Sequence, residues 1–409
     1  MRDRDLYAKL LGIQAPWAVR DVQLVDEEKQ VEVFIDHTGP VTCPECGQET
    51  SRYDARERRW RHLDTMQYRT ILVAQVPRAK CEKHGVKQVH VPWSEPGSRF
   101  TAFFEALVID WLQEASILAV QRRVGLSWDE VDGIMQRAVR RGLQRRQLTL
   151  PTQLGVDEKS FQKHHEYVTV VSDHQSGDVV HVADGRGKEV LREFYGKFPE
   201  ESRAAIDTIS MDMWGPYIEA TMALVPGAVD KIAFDKFHVA KHLGDAVDRV
   251  RRGENKELWA QGDKRLKGTK YTWLKNPENF TAEKWTGFAS LRESKLKTAK
   301  AWAMKETAMG LWDFDSHARA RSEWTKWCRW VLRCRIEPMK EKARMVREHL
   351  HGILNAVVAG ASNARAEGLN SVIQWIKYTA RGFRSRERFR NAIYFHLGGL
   401  DLYPAGATR

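Results

Sequence analysis

Cysteine is scarce, with five in 409 residues. That is too few for a disulfide framework, and their grouping points to metal instead. Long apolar runs are missing too. No stretch approaches the length of a membrane span, and the start, Met1-Arg2-Asp3-Arg4-Asp5, lacks the apolar segment of a secretion signal. A cytoplasmic protein without membrane contact is therefore expected. Acids are outnumbered, 54 Asp and Glu against 66 Lys and Arg, for a net charge of +12. This balance points to a polyanionic partner, nucleic acid first, because excess cations displace counterions from phosphate. The length exceeds one small core and suits two to four modules.

Three of the cysteines fall in two matched turns. Cys43-Pro44-Glu45-Cys46-Gly47 is followed, after a strand-like run from Tyr68 to Val76, by Cys81-Glu82-Lys83-His84-Gly85. Cys43, Cys46, Cys81 and His84 make a closed tetrahedral set for one structural zinc, with His62 and His90 as alternatives to His84. A short helix from Asp5 to Leu11 and a hairpin of Ala18–Val25 with Gln30–Ile35 precede them. Arg52, Arg56, Arg58, Arg59, Arg61 and Arg69, between the turns, suit either phosphate contact or a solvated face.

Pro92 and Pro96-Gly97 mark a boundary. Beyond it, helices over Phe100–Gln113 and Ser116–Val124, a break at Gly125 and a third helix capped by Ser127 have helix-turn-helix spacing. The third helix carries Arg137, Arg140, Arg141, Arg145 and Arg146, expected to dock on a DNA backbone. Asp129, Glu130 and Asp132 near its start are awkward neighbours for base edges. An ordinary three-helix packing unit is the alternative.

From Pro151 the pattern changes. Leu154–Asp157, Tyr167–Val171 and Val179–Val182 describe an antiparallel meander, followed by a helix over Gly187–Tyr195 and a strand over Ala205–Met211. A helix over Tyr217–Leu224, a strand over Lys231–Phe234 and a long helix capped by Asp235 complete the series. This is the order of a ribonuclease-H-like fold, which would bring Asp157 and Asp212 together at strand ends. A late acid, Glu367, lies on a helix whose apolar side is Leu369, Val372, Ile373 and Ile376, with Asn363, Asn370 and Gln374 on the polar side. Phosphodiester cleavage by in-line attack is served by two magnesium or manganese ions held by carboxylates, so these three acids are the expected catalytic and metal-binding residues. Asp235, which also ends a strand, is a rival acid but reads first as the N-cap, and His238 reads first as a core or capping histidine.

At these residues the chain resembles the ISL-three family of insertion-sequence transposases. The resemblance is carried by Val156-Asp157-Glu158, His165 through Val171, Ser210-Met211-Asp212-Met213, Phe234 through Val239, and Ser362-Asn363 through Glu367-Gly368 with Asn370. Gly382-Phe383-Arg384 and Phe389-Arg390 follow. It implies an acid-triad enzyme that binds double-stranded DNA at the element's terminal inverted repeats, cleaves there and joins the ends to target DNA. Two ends imply at least a homodimer. A catalytically idle regulator and a structure-specific nuclease or resolvase are the rival functions.

Between Asn255 and Leu350 the pattern is helical, basic and rich in tryptophan, most of it expected in a bundle core, with one or two rings free to stack on an unpaired base. Arg381, Arg384 and Arg386, with Arg388 and Arg390, form the expected phosphate clamp. The expected organisation is multidomain α/β: a β-rich zinc-binding domain (1–98), a helix-turn-helix (99–150) and a ribonuclease-H-like mixed sheet (151–255). An all-helical insertion (256–350) and the end of the core with a basic tail (351–409) complete it.

Overall fold

The computed structural model describes residues 2–162, 166–314, 316–359 and 364–407, with backbone alone for 162, 359 and 364–367. Contacts divide the chain into two units, Met1–Gln147 with Tyr394–Arg409, and Leu148–Ile393.

The first unit opens with α1 (Asp3–Leu10), then β1 (Trp17–Val25), β2 (Gln30–His37), β3 (Val41–Thr42), β4 (Glu49–Thr50), β5 (Arg52–Thr65), β6 (Tyr68–Cys81) and β7 (Gly85–Gln88). The expected hairpin is β1–β2. Strict alternation sends Val31, Val33 and Ile35 of β2 inward, where Trp17, Trp60, Leu72, Val76 and Trp93 meet them. Each fully buried aliphatic side chain there contributes roughly 1.5–3 kcal/mol. The sheet runs β1-β2-β6-β5 with β7 on the far part of β6, and β2 pairs with β6 in parallel. The long strand β5 carries Arg52, Arg56, Arg58, Arg59 and Arg61, and Arg69 lies at the start of β6.

Three helices follow: α2 (Ala102–Glu114), α3 (Ile117–Val124) and α4 (Trp128–Arg145). His62 of β5 lies 2.8 Å, Nδ1 to Oγ1, from Thr101, the N-cap of α2. It is no zinc ligand, and burial drives its pKa down to about 4. An imidazole that stays neutral when folded but titrates near 6.5 when unfolded stabilises fully above pH 6.5, and this contribution fades as pH falls toward 4. Wild-type protein should lose roughly 2–3 kcal/mol more than His62→Asn between pH 7 and 4.5. Denaturant titrations at both pH values measure this; parallel losses in the two proteins would refute it.

The tail does not continue the core as the sequence suggested. Arg141 donates to the Leu402 carbonyl, Arg145 Nη1 bonds Asp401 Oδ2 and the Tyr403 carbonyl at 2.7 Å each, and Tyr403 donates to Asp110 Oδ1 at 2.6 Å. These bonds fasten residues 401–403 to the helices of the first unit.

The second unit is built on β8 (Gln153–Gln162), β9 (Glu166–Asp173), β10 (Val179–Asp184), β11 (Thr208–Met211) and β12 (Ile232–Phe234), in spatial order β10-β9-β8-β11-β12. The first three strands form the antiparallel meander, and β8, β11 and β12 are parallel. Their connections hold α5 (Lys188–Tyr195), α6 (Glu200–Ala204), α7 (Gly215–Leu224) and α8 (Ala228–Lys231). Strand β11 starts later than expected because Ala205 is the helical C-cap of α6 and Ile206 still bonds back to Arg203 in the turn that leaves it.

From β12 the chain enters α9 (Lys236–Ala260), α10 (Lys270–Leu274), α11 (Ala282–Arg292), α12 (Lys297–Gly310), α13 (His317–Leu332) and α14 (Glu337–Glu348). It returns through α15 (Leu350–Ala359), α16 (Ala364–Thr379) and α17 (Arg386–Leu397). One apolar cluster runs without a break from Leu154 in the sheet through these helices to Val357. Trp273, Trp302, Trp312, Trp324 and Trp327 are buried in it, whereas Trp259, Trp285 and Trp330 are exposed. Helix α15 lies so close to β12 that a Cβ on Gly352 would sit 2.5 Å from the Phe234 ring. Asn355 Nδ2 fixes the pair by donating to the carbonyls of Val229 and Ile232 at 2.9 and 2.8 Å.

Candidate active site and DNA-binding elements

Strand register assembles the acids. Val156 of β8 pairs with Met211 of β11, and Met211 with Phe234 of β12. The next residue along the chain is therefore Asp157, Asp212 or Asp235, three carboxylates in a row where the parallel pairing ends; β8 itself runs on to Gln162 beside β9, so Asp157 lies within its strand and not at the expected strand end. Asp157 Oδ1 accepts from the Glu158 amide at 2.7 Å, and its Oδ2 accepts from Lys159 Nζ. Asp212 Oδ1 accepts from the Met213 amide at 2.6 Å. Asp235 takes its expected N-cap role, accepting from the Phe237 amide at 2.7 Å.

His238 is the residue that sequence reasoning undervalued. Its Nδ1 lies 3.3 Å from Asp212 Oδ2 and its Nε2 3.9 Å from Asp235 Oδ2. Burial opposes protonation of His238, but the Asp212 carboxylate and the charges of Asp235 and Asp157 outweigh it and raise its pKa. Burial likewise resists ionisation of Asp212, yet the His238 contact and the Met213 amide hold its carboxyl below the usual range. The signal was present in the spacing: Asp235-Lys236-Phe237-His238 puts a ring one helical turn past a strand-end cap. Near the same strand ends, Arg186 is sandwiched between the rings of Tyr167 and Trp214, at 4.2 and 4.6 Å.

Glu367 belongs to α16, which continues unbroken through Gly368; its side chain lies outside the described residues, as do Ser362, Asn363 and His165. The apolar side is as expected, with Leu369, Ile373 and Ile376 buried. Lys377 on this helix donates to the Ser160 carbonyl of β8 at 2.6 Å. Of the expected clamp, Arg381 (φ 53°) and Arg384 are exposed in the turn after α16, and Arg386 is 3.4 Å from Glu166. The turn is anchored by fully buried Phe389, whose ring lies 5.1 Å from Phe383 and 6.0 Å from Phe161.

In the first unit, Cys43, Cys46, Cys81 and His84 place their ligand atoms within 4.8 Å of one another. The Sγ atoms of Cys43 and Cys81 are each 3.6 Å from His84 Nδ1, and those of Cys46 and Cys81 are 3.8 Å apart. A tetrahedral zinc with ordinary bond lengths requires about 3.6 and about 3.8 Å, so the residues fit the metal. Glu45 lies on the far side of the His84 ring, its Oε2 3.8 Å from Nε2, too far for a hydrogen bond, and its Oε1 is paired with Lys87 at 2.6 Å. Gly47 and Gly85 adopt φ near 70°, which lets each knuckle close.

The helix-turn-helix is α3, Gly125 (φ 67°) and α4, with Ser127 and Glu130 forming a reciprocal capping box. Glu130 is thus engaged at the cap, and Asp132 is buried and accepts from Gln136 at 2.7 Å. That relieves two of the three awkward acids. The arginines fare differently. Arg141 is buried, bonded to Glu95 at 2.6 Å and Glu105 at 3.0 Å, so it is an internal ion pair and not a phosphate ligand. Arg137 bonds Glu105 at 2.8 Å, and Arg145 is drawn to Asp401. Arg146 lies over the Tyr394 ring, leaving Arg140 exposed and without an ion pair among the described residues.

Comparison with known proteins agrees with each part. Family models match residues 39–84 as a zinc finger of the IS204/IS1001/IS1096/IS1165 transposases, and 89–139 as the helix-turn-helix domain of transposase family ISL3. A third model, the ISL3 transposase domain, matches 154–393. The transposase of insertion sequence element IS1557 from Mycobacterium tuberculosis is 28% identical over 433 positions, spanning 98% of this chain and 96% of the relative. That of IS1001 from Bordetella parapertussis is 26% identical over the whole of both chains. With the ISL3 transposase domain covering more than half of its length, joined to the zinc finger and helix-turn-helix of the same transposases, the chain belongs to the ISL3 family of DNA transposases.

Proposed function

We propose that this transposase works through an acid triad, Asp157, Asp212 and Glu367, on a ribonuclease-H-like sheet, and that it cleaves at the element ends and joins them to target DNA. The observation that carries the reading is the β8–β11 register, whose last pair, Met211 with Val156, is followed on the two chains by Asp212 and Asp157, side by side where the parallel pairing ends. The strand order, an antiparallel meander flanked by two parallel strands, supports the fold assignment. The Lys377 bond to Ser160 supports α16, and with it Glu367, lying alongside β8.

The donor set suits hard cations. Asp157 and Asp212 offer partly exposed carboxylate oxygens, with no thiol among them, as magnesium or manganese prefers. Two such ions, when bound, would supply activation of the attacking oxygen and neutralisation of the leaving one. The chain's own groups do the rest. Lys159 and His238 hold the two carboxylates in fixed rotamers, Arg384 and Arg386 present guanidiniums to the scissile strand, and Arg140 with the exposed arginines of β5 meets the DNA backbone. Two element ends call for a homodimer.

A strand-transfer assay with a pre-cleaved terminal repeat in magnesium tests the reading. Joined product is expected with the wild-type protein and none with chelator. Cutting of branched DNA without joining would mark a resolvase instead, and specific end binding with neither cutting nor joining would mark an idle regulator.

A further inference from the structure

Between the helices of the second unit lies a cleft of about 560 Å³ whose charge is entirely of one sign. It is framed by two short connections, Glu293–Leu296 between α11 and α12, and Arg333–Ile336 between α13 and α14. Arg292, Lys295, Lys297, Lys300, Arg333 and Arg335 line it, and no acid does. Arg292 and Lys297 have partners, Glu293 at 2.8 Å and Glu257 at 2.9 Å. Lys295, Lys300, Arg333 and Arg335 are exposed and have no carboxylate within 4 Å among the described residues.

Nearby acids are committed elsewhere. Glu337 is held by Lys340 and Arg344 at 3.1 and 3.0 Å. Glu254, buried on α9, accepts from the amides of Lys297 and Thr298 at 2.7 Å each and from the Thr298 hydroxyl at 2.7 Å. That carboxylate ties the start of α12, directly after the first connection, to the long helix, so this side of the cleft has a fixed frame. Four unpaired cations crowded around such a cleft repel one another, and a polyanion relieves the repulsion.

The lining also limits what that polyanion is. It contains no aromatic ring on which a base would stack and no Asn or Gln to read a base edge. A nucleotide would find no seat for its base, whereas a phosphodiester backbone needs none. We propose that this cleft is a sequence-independent seat for the backbone of duplex target DNA, separate from the zinc finger, the helix-turn-helix and the strand-end acids.

The test uses full-length protein with Lys295→Ala, Lys300→Ala, Arg333→Ala and Arg335→Ala combined. Affinity for a random-sequence duplex should fall at least tenfold. The slope of log affinity against log salt should flatten by about three to four, since each lost phosphate contact removes about 0.9. With a pre-cleaved end, the target concentration for half-maximal joining should rise by a similar factor, while terminal-repeat binding and end hydrolysis stay at wild-type levels. The pair Lys295→Ala and Arg335→Ala, one from each connection, should give about half the slope change and serves if four changes lower the melting temperature. A set of Lys→Arg and Arg→Lys exchanges at the same positions should restore binding.

Unchanged random-duplex affinity and slope would overturn the proposal. So would an equal loss on terminal repeats, which would assign the cleft to element DNA, or displacement of duplex by micromolar inorganic pyrophosphate, which would mark a small-anion site. The random-duplex measurement needs no catalysis, so it is independent of the triad assignment.

Discussion

Asp157→Asn and Asp212→Asn should each reduce end cleavage roughly 10³-fold or more while leaving end binding and melting temperature near wild type. The effect is electrostatic. Asn keeps the shape of the side chain and accepts the same amide bonds that Glu158 and Met213 donate, but it removes the charge on which metal binding depends. Glu367→Gln should behave alike. Asp235→Asn is the informative comparison, because Asp235 stands on the next strand in the same register and touches His238. Asn caps a helix as well as Asp does, so α9 keeps its start and most cleavage should survive. Retained cleavage in Asp212→Asn with loss in Asp235→Asn would move the second acid of the triad to position 235. His238→Ala should fall between these extremes, since it frees Asp212 to rotate without removing a ligand. Cleavage rates in single turnover with a labelled terminal repeat, beside binding isotherms for each variant, make the comparison.

The parts of this architecture that were legible beforehand share a physical cause. Strands β8 to β12 alternate or run apolar between turn residues, and the knuckles have a fixed spacing imposed by one metal, so local sequence carries both. Strand β5 was not legible, because Trp60 alone along it is buried and its central run is dominated by arginine and other charged residues. It is held by pairing along nearly its whole length with β6. Arg141 was misjudged for a related reason. A guanidinium on a basic helix reads as a DNA ligand until Glu95 and Glu105, 46 and 36 residues earlier, are seen to pack against it. Such long-range pairing of charges leaves no periodic trace. His238 lay between these cases, with a local signal whose meaning depended on strand β11 arriving beside it.

Zinc removal should be the other large effect. The knuckles have almost no apolar support of their own: β3 and β4 are two residues each, joined by the pairs Val41 with Thr50 and Thr42 with Glu49. Neither strand contributes to the apolar cluster around Trp17, Trp60 and Trp93. A two-residue ladder is not stable in water, so the metal must hold residues 41–50 to the end of β6. Structural zinc supplies on the order of 10–16 kcal/mol of binding free energy in isolated fingers, more than most domains have in total. Cys43→Ser, or chelation of the wild type, should therefore unfold the knuckles and lower the first melting transition by well over 10 °C. Residual strand signal should remain, because the Trp-centred cluster persists. End binding should weaken with it. Cys328→Ala is the internal control: burial pushes that thiol up to about 11, and it sits against Ala343 in the helical unit, so it should change neither zinc content nor end binding. Zinc quantified per chain beside calorimetry decides the matter. A wild-type protein carrying one zinc that melts identically with and without chelator would show that the ion is not structural, whereas loss of the first transition alone would locate its contribution in the amino-terminal sheet.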